Sequence, residues 1–202
     1  MRSSIRLSIL AVALAACRND WGSGSAPDPT GLMVQGISVP DFGTWESNRP
    51  IEFAFNEPVD FASVSARSIH IRTSAGVPAA GTFAARSVDA NGDGVPEGTD
   101  ESVVVFYPGC ASAEDLSDAG LTPGARYLVT LAGDDSGADP ATLLRSVSGD
   151  TLAHTVVHAF ETIAGPERTL HDEKPGAAPL PLVRAAGAST GPGCHLELGE
   201  DP

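Results

Sequence analysis

The sequence predicts an all-β chain folded as a sandwich of about seven strands. Three observations carry that expectation. Between positions 31 and 163 the apolar residues recur with period two rather than 3.6. The apolar runs are short and bounded by Asn, Asp, Gly and Pro. With 22 Gly and 16 Pro in 202 residues, little of the chain is suited to long helices. Short alternating runs separated by frequent turn signals are the pattern of a β-sandwich.

Each element follows from its residues. Ile51, Phe53 and Phe55 alternate with Glu52 and Ala54, which puts the apolar set on one face of a strand. Asn56-Glu57-Pro58 ends that strand, because Pro58 offers no N–H to a ladder. One helical turn is expected over Ala62 to Arg67. Ile69 and Ile71 alternate with Ser68, His70 and Arg72, and Ala75-Gly76 and Asn91-Gly92 mark turns. Val103 to Phe106 is a continuous apolar run rich in β-branched residues, the mark of a buried strand. A second helical turn is expected over 111–120. Pro123-Gly124 sets a tight turn before Tyr127, Val129 and Leu131, which alternate with Leu128 and Thr130. After Gly133-Asp134, Val156 or Val157 and then Phe160 complete the series. Residues 18–30 read as a flexible, disordered tether. Residues 164–202 read as an irregular tail or linker rich in Pro, Gly and Ala.

Several of these pieces stand in a familiar order. Arg49-Pro50-Ile51-Glu52-Phe53-Ala54-Phe55-Asn56-Glu57-Pro58-Val59-Asp60 is followed by Ser68-Ile69-His70-Ile71 and by Val103-Val104-Val105-Phe106-Tyr107-Pro108. Leu121-Thr122-Pro123-Gly124-Ala125-Arg126-Tyr127-Leu128-Val129-Thr130-Leu131 and Phe160-Glu161-Thr162 close the set. The whole resembles the bacterial Ig-like domains of surface-layer and other exported proteins. The resemblance implies an Ig-like β-sandwich over 31–163, serving as a spacer, adhesion or accessory module. It also allows Tyr127 to act as a tyrosine corner, ring in the core and hydroxyl on nearby backbone, with an ordinary strand tyrosine as the alternative.

The N-terminus carries an address. Arg2 and Arg6 precede an uncharged run, Ile9 to Ala16, far shorter than the ~20 apolar residues of a membrane-crossing helix. Residues 1–16 therefore read as a secretory signal. Leu14-Ala15-Ala16-Cys17 resembles the lipobox of bacterial lipoproteins. That resemblance implies that Cys17 becomes the mature N-terminus and carries acyl chains such as palmitate, with 17–30 as the tether. Arg18, in place of the Asp that favours inner-membrane retention, points to the outer membrane or cell surface.

Charge is consistent with such an anchor. The 12 basic residues, less Arg2 and Arg6, leave 10 against 26 acidic ones, a net charge of −16 after signal removal. Phosphate backbones are bound through Lys and Arg, so nucleic acid is not expected as a partner. Anionic headgroups are repelled too, which leaves membrane attachment to the lipid, at ~0.8 kcal/mol per buried methylene. With Cys17 acylated, Cys110 and Cys194 remain; outside the cytoplasm they are expected either as one disulfide or as two free thiols.

The sharpest chemical motif is Asp89-Ala90-Asn91-Gly92-Asp93-Gly94-Val95-Pro96-Glu97-Gly98-Thr99-Asp100. It follows the spacing of an EF-hand-type calcium loop, with Asp89, Asn91, Asp93, the Val95 carbonyl, Glu97 and Asp100 as ligands. Ca²⁺ takes six to eight hard oxygens, which this stretch can supply. Asp100 is shorter than the usual bidentate Glu, Pro96 is unusual, and the flanks read as strands, so the expectation is a calcium-clamped hairpin loop. A solvated Asx- and Gly-rich turn is the competing reading.

Other patterns carry less. His154 and His158 are four apart on an expected strand, hence ~13 Å apart and too far to share one ion; they read as surface histidines. No serine stands on a strand-to-helix elbow, and no glycine-rich phosphate loop follows a strand. The chain is therefore read as no enzyme, but as a lipid-anchored envelope module with an envelope protein or polysaccharide as partner. The alternative is an accessory, substrate- or glycan-binding module of a larger exported enzyme or adhesin. Trp21 and Trp45 are the tryptophans available for glycan stacking, Trp45 being equally suited to the edge of the core.

Overall fold

The period-two runs become strands in a computed structural model, which describes residues 31–92, 95–110, 118–164, 169–170 and 180–181. In chain order these are β1 (Val34–Ile37), β2 (Gly43–Trp45), β3 (Ile51–Phe55), β4 (Ile69–Thr73), β5 (Gly81–Val88), β6 (Gly98–Pro108), β7 (Arg126–Leu131) and β8 (Val156–Thr162). One sheet has the order β1-β3-β6-β5 and the other β2-β8-β7-β4. Together they make a β-sandwich. All pairings in them are antiparallel except β2 with β8. In the region read as an irregular tail, β9 (Thr169–Leu170) pairs antiparallel with β10 (Leu180–Pro181).

Side-chain alternation explains the two layers. In β3, Ile51, Phe53 and Phe55 are buried while Glu52 and Ala54 face outward. In β7, Tyr127, Val129 and Leu131 are buried while Arg126 and Leu128 are exposed. Both inner faces meet in one apolar cluster that includes Phe53, Ile69, Val104, Phe106, Leu144 and Phe160. Tyr127 stacks on Phe160 with centroids 5.3 Å apart, and Phe83 tilts against Phe106 at 5.1 Å. Fully burying a residue such as Phe53 contributes about 1.5–3 kcal/mol, so these strands cohere mainly through their inner faces.

One connection differs from the sequence reading. The helical turn expected over Ala62 to Arg67 is a shorter 3-10 turn at Phe61–Ser63, capped by Asp60, whose carboxylate accepts the Ala62 N–H at 3.0 Å. The chain then turns through Ser68, a fully buried serine whose hydroxyl donates to the Ser63 carbonyl at 2.7 Å and accepts the Ser65 N–H at 2.9 Å. Those bonds hold the segment in a turn rather than a helix. The second expected helical turn, over 111–120, lies largely outside the described residues. Gly120 packs its backbone against Gly109 and Ala80 so closely that a Cβ would overlap both. There the Gly120 N–H donates to the Gly109 carbonyl and the Gly120 carbonyl accepts the Ala80 N–H.

Candidate functional site

The β5–β6 hairpin holds the calcium motif. β6 is long enough to pair with β3 through Val103–Phe106 and to continue with β5 towards the turn. Asp89, Asn91, Val95 and Glu97 occupy that turn and are exposed; Asp93 and Gly94 lie outside the described residues. The Asp89 carboxylate accepts the Gly92 N–H at 2.6 Å, and the Glu97 carboxylate accepts the Ala90 N–H at 2.6 Å. Asp100 is placed differently from the others. It lies in β6, where it pairs with Arg86 at 2.7 Å and accepts the Ser102 hydroxyl at 2.6 Å and N–H at 3.0 Å. The Ser102 hydroxyl above all, then its N–H and the Arg86 guanidinium, hold the Asp100 carboxyl below the usual carboxylate range despite some desolvation. Arg86 also lies 3.7 Å from Glu52 on β3, so it ties three strands together. Among the described residues no three His, Cys, Asp or Glu side chains converge to hold a metal ion.

The remaining sequence candidates are distributed as follows. Cys17 and Cys194 lie outside the described residues, as do the signal and tether. Cys110 is disulfide-bonded, and its partner cysteine lies outside the described residues. Trp45 is buried; its indole N–H donates to the Arg49 carbonyl at 3.1 Å and the Arg49 guanidinium covers its ring at 3.8 Å. It belongs to the edge of the core and offers no open ring to a sugar. His158 is not a surface histidine. Its ring is half-buried, and Nε2–H donates to the Val39 carbonyl at 2.8 Å, because β8 turns that side chain inward beside Val129. His154 is exposed, 3.3 Å from Asp135. Asp135 is held below the ordinary carboxylate value chiefly by the Thr155 hydroxyl, then by the Thr155 N–H and His154.

A surface that the sequence reading passed over lies on the outer face of the β2-β8-β7-β4 sheet. Phe42 is 73% exposed, and its backbone lies in the left-handed region at φ 56. It stands third in the turn Pro40–Gly43, closed by the Gly43 N–H to the Pro40 carbonyl at 2.9 Å, a position that favours Gly or Asn. The turn is clamped onto β8: the Phe42 N–H donates to the Ala159 carbonyl at 2.7 Å, and Asp41 accepts the Ala159 N–H at 2.9 Å. Gly43 admits no side chain, since a Cβ would come within 2.9 Å of the Pro40 ring. The Arg126 guanidinium lies 5.9 Å from the Phe42 ring centroid. Next along β7, exposed Leu128 borders an open groove of about 450 Å³ that continues past Thr130 to His70, Arg72 and Thr73 on β4. Exposed Val157, cross-strand from Thr130, extends the apolar strip.

The fold and this face define a small β-sandwich module. Comparison with protein-family models gives no match, and comparison with curated proteins gives none. Among solved structures the chain is weakly similar to parts of a bacterial S-layer protein. Against the N-terminal part of SbsC the identity is 15% and the TM-score 0.35, over 66% of this chain and 24% of that one. Against rSbsC(31-844) the identity is 15% and the TM-score 0.35, over 67% and 14%. Against SbsC domains 1-6 the identity is 15% and the TM-score 0.34, over 65% and 14%. The chain thus spans a quarter or less of the S-layer chains it matches.

Proposed function

We propose that the chain is a lipid-anchored Ig-like module of the bacterial envelope, a spacer and interaction domain held by an acylated Cys17. The strand order carries this reading. If β1 and β2 are taken as two halves of one first strand, the sheets β1-β3-β6-β5 and β8-β7-β4 follow the two-sheet order of a constant-type immunoglobulin domain. Tyr127 adds to it: the second residue of β7, buried, with its hydroxyl accepting the Thr122 N–H at 2.7 Å, the place and role of a tyrosine corner. Signal, lipobox and a Gly/Ser/Pro tether precede that sandwich in the sequence. Calcium enters the proposal as a weak ligand of the β5–β6 turn, drawing on Asp89, Asn91, Asp93, the Val95 carbonyl and Glu97, with Asp100 engaged by Arg86.

Labelled palmitate tests the anchor. The wild-type chain should incorporate label and sediment with membranes, and Cys17→Ser should do neither. An unlabelled wild type whose fractionation is unchanged by Cys17→Ser would overturn the lipid anchor and leave the sandwich without a membrane role.

A further inference from the structure

We propose that the outer face of the β2-β8-β7-β4 sheet, from Phe42 across Arg126 and Leu128 to the groove at Arg72, binds an anionic polysaccharide: a sugar chain bearing carboxylates. This goes beyond the spacer reading, and neither depends on the other.

Phe42 is the first support. A non-glycine residue in the left-handed region is strained, and an exposed aromatic ring gains nothing from burial. The turn uses only the Phe42 backbone, whose N–H any residue except proline would supply equally well to Ala159. Within the fold, among the described residues, the ring meets only the Arg126 guanidinium, 5.9 Å from its centroid, whereas a ligand uses its face: the apolar C–H face of a pyranose packs on an open aromatic face. Leu128 and Val157 continue the apolar strip beside it.

Charge selects the partner. Arg72 and Arg126 have no carboxylate within ion-pairing distance among the described residues, in a chain of 26 acidic and 12 basic residues. The carboxylates beside this face are Glu161, opposite Arg126 in register, and Asp41, next to Phe42 and engaged by the Ala159 N–H. A guanidinium fork donates two parallel hydrogen bonds to a carboxylate, and Thr73 and Thr130 line the groove beside Arg72. A second copy of the chain fits poorly, because a two-fold contact would set a face with unpaired cations against itself. A peptide adding as a strand beside β4 is blocked. The Thr73 N–H already donates to the Val77 carbonyl, and the Ala79 N–H to the Ile71 carbonyl.

The net charge of the protein does not forbid such a partner. At physiological salt the Debye length is ~8 Å, so distant carboxylates are screened while contacting arginines are not.

Affinity electrophoresis of the full chain at that salt is the test, with polygalacturonate, neutral dextran and polyglutamate as gel additives. Polygalacturonate should retard the wild type and dextran should not. Phe42→Gly should weaken the interaction about tenfold or more. It should leave the melting temperature level or raised, since glycine relaxes the turn. Arg72→Gln with Arg126→Gln should abolish retardation while preserving the far-UV spectrum. No retardation by polygalacturonate, or equal retardation of wild type and variants, would overturn the proposal. Retardation by polyglutamate of equal strength and equal dependence on Phe42 would replace the polysaccharide with an acidic polypeptide.

Discussion

Tyr127 is buried at its ring and polar at its tip, so the tip needs a partner, and the Thr122 N–H provides it at 2.7 Å. Tyr127→Phe keeps the stack on Phe160 and removes only that bond. It should cost about 1 kcal/mol, read as a lower urea midpoint at unchanged slope. An unchanged midpoint would show that water serves Thr122 equally well. Asp100 and Asp135 contribute to the acid dependence. Both carboxyls lie below their ordinary value of 3.8 in the folded chain. Their contribution is therefore complete above that value and is lost as pH falls through the depressed folded values. The urea midpoint should drop below about pH 4, and Asp100→Asn with Asp135→Asn should flatten that fall. An acid limb of unchanged steepness in the double variant would assign it to other carboxylates. Single residues of this kind were unevenly legible. Tyr127 follows a Pro-Gly turn and could be foreseen. Phe42 could not, because its exposure comes from a turn clamped on β8, a partner 117 positions later at Ala159.

Strands announced themselves where their burial is regular. β3, β4 and β7 bury one face and read from period-two alternation, and β6, buried on both faces over Val103–Phe106, read from its continuous apolar run. β1 buries none of its residues fully, β2 is three residues long, and β5 runs exposed at both ends. All three are edge strands, where alternation has little core to answer to. The β5–β6 turn is the element whose chemistry outran its strands. Its spacing resembles a calcium loop, yet register draws the twelfth position into β6, where Arg86 holds it. With that ligand engaged, calcium affinity should fall in the weak extracellular class, with Kd on the order of 10⁻⁴–10⁻³ M. Isothermal titration of the full chain should show Asp93→Asn losing the binding heat and Asp100→Asn keeping it. No heat at about 10 mM calcium would leave a plain hydrogen-bonded turn, and micromolar binding lost in Asp100→Asn would mean that Asp100 leaves Arg86 for the ion.

At the scale of the molecule, the proposed anchor and the sandwich make competing demands on the three cysteines. Cys110 lies two residues past the end of β6 and is disulfide-bonded. The sequence contains two other cysteines, Cys17 and Cys194. Lipidation of the Cys17 sulfur consumes its thiol, so a lipidated Cys17 can form no disulfide. In a lipidated chain Cys110 must therefore pair with Cys194, closing most of the tail, 164–202, back onto the sandwich. In an unlipidated chain Cys17 becomes a competing partner. Bridging a loop of that length restricts the unfolded chain, a stabilisation of about 4–5 kcal/mol on the chain-entropy model. Peptide mapping of the membrane fraction without reduction should recover the peptides of Cys110 and Cys194 joined, and the Cys17 peptide acylated. Cys194→Ser should then leave Cys110 alkylatable and lower the melting temperature by several degrees. Recovery of Cys17 joined to Cys110 would remove the lipid anchor outright, because one sulfur cannot hold both bonds.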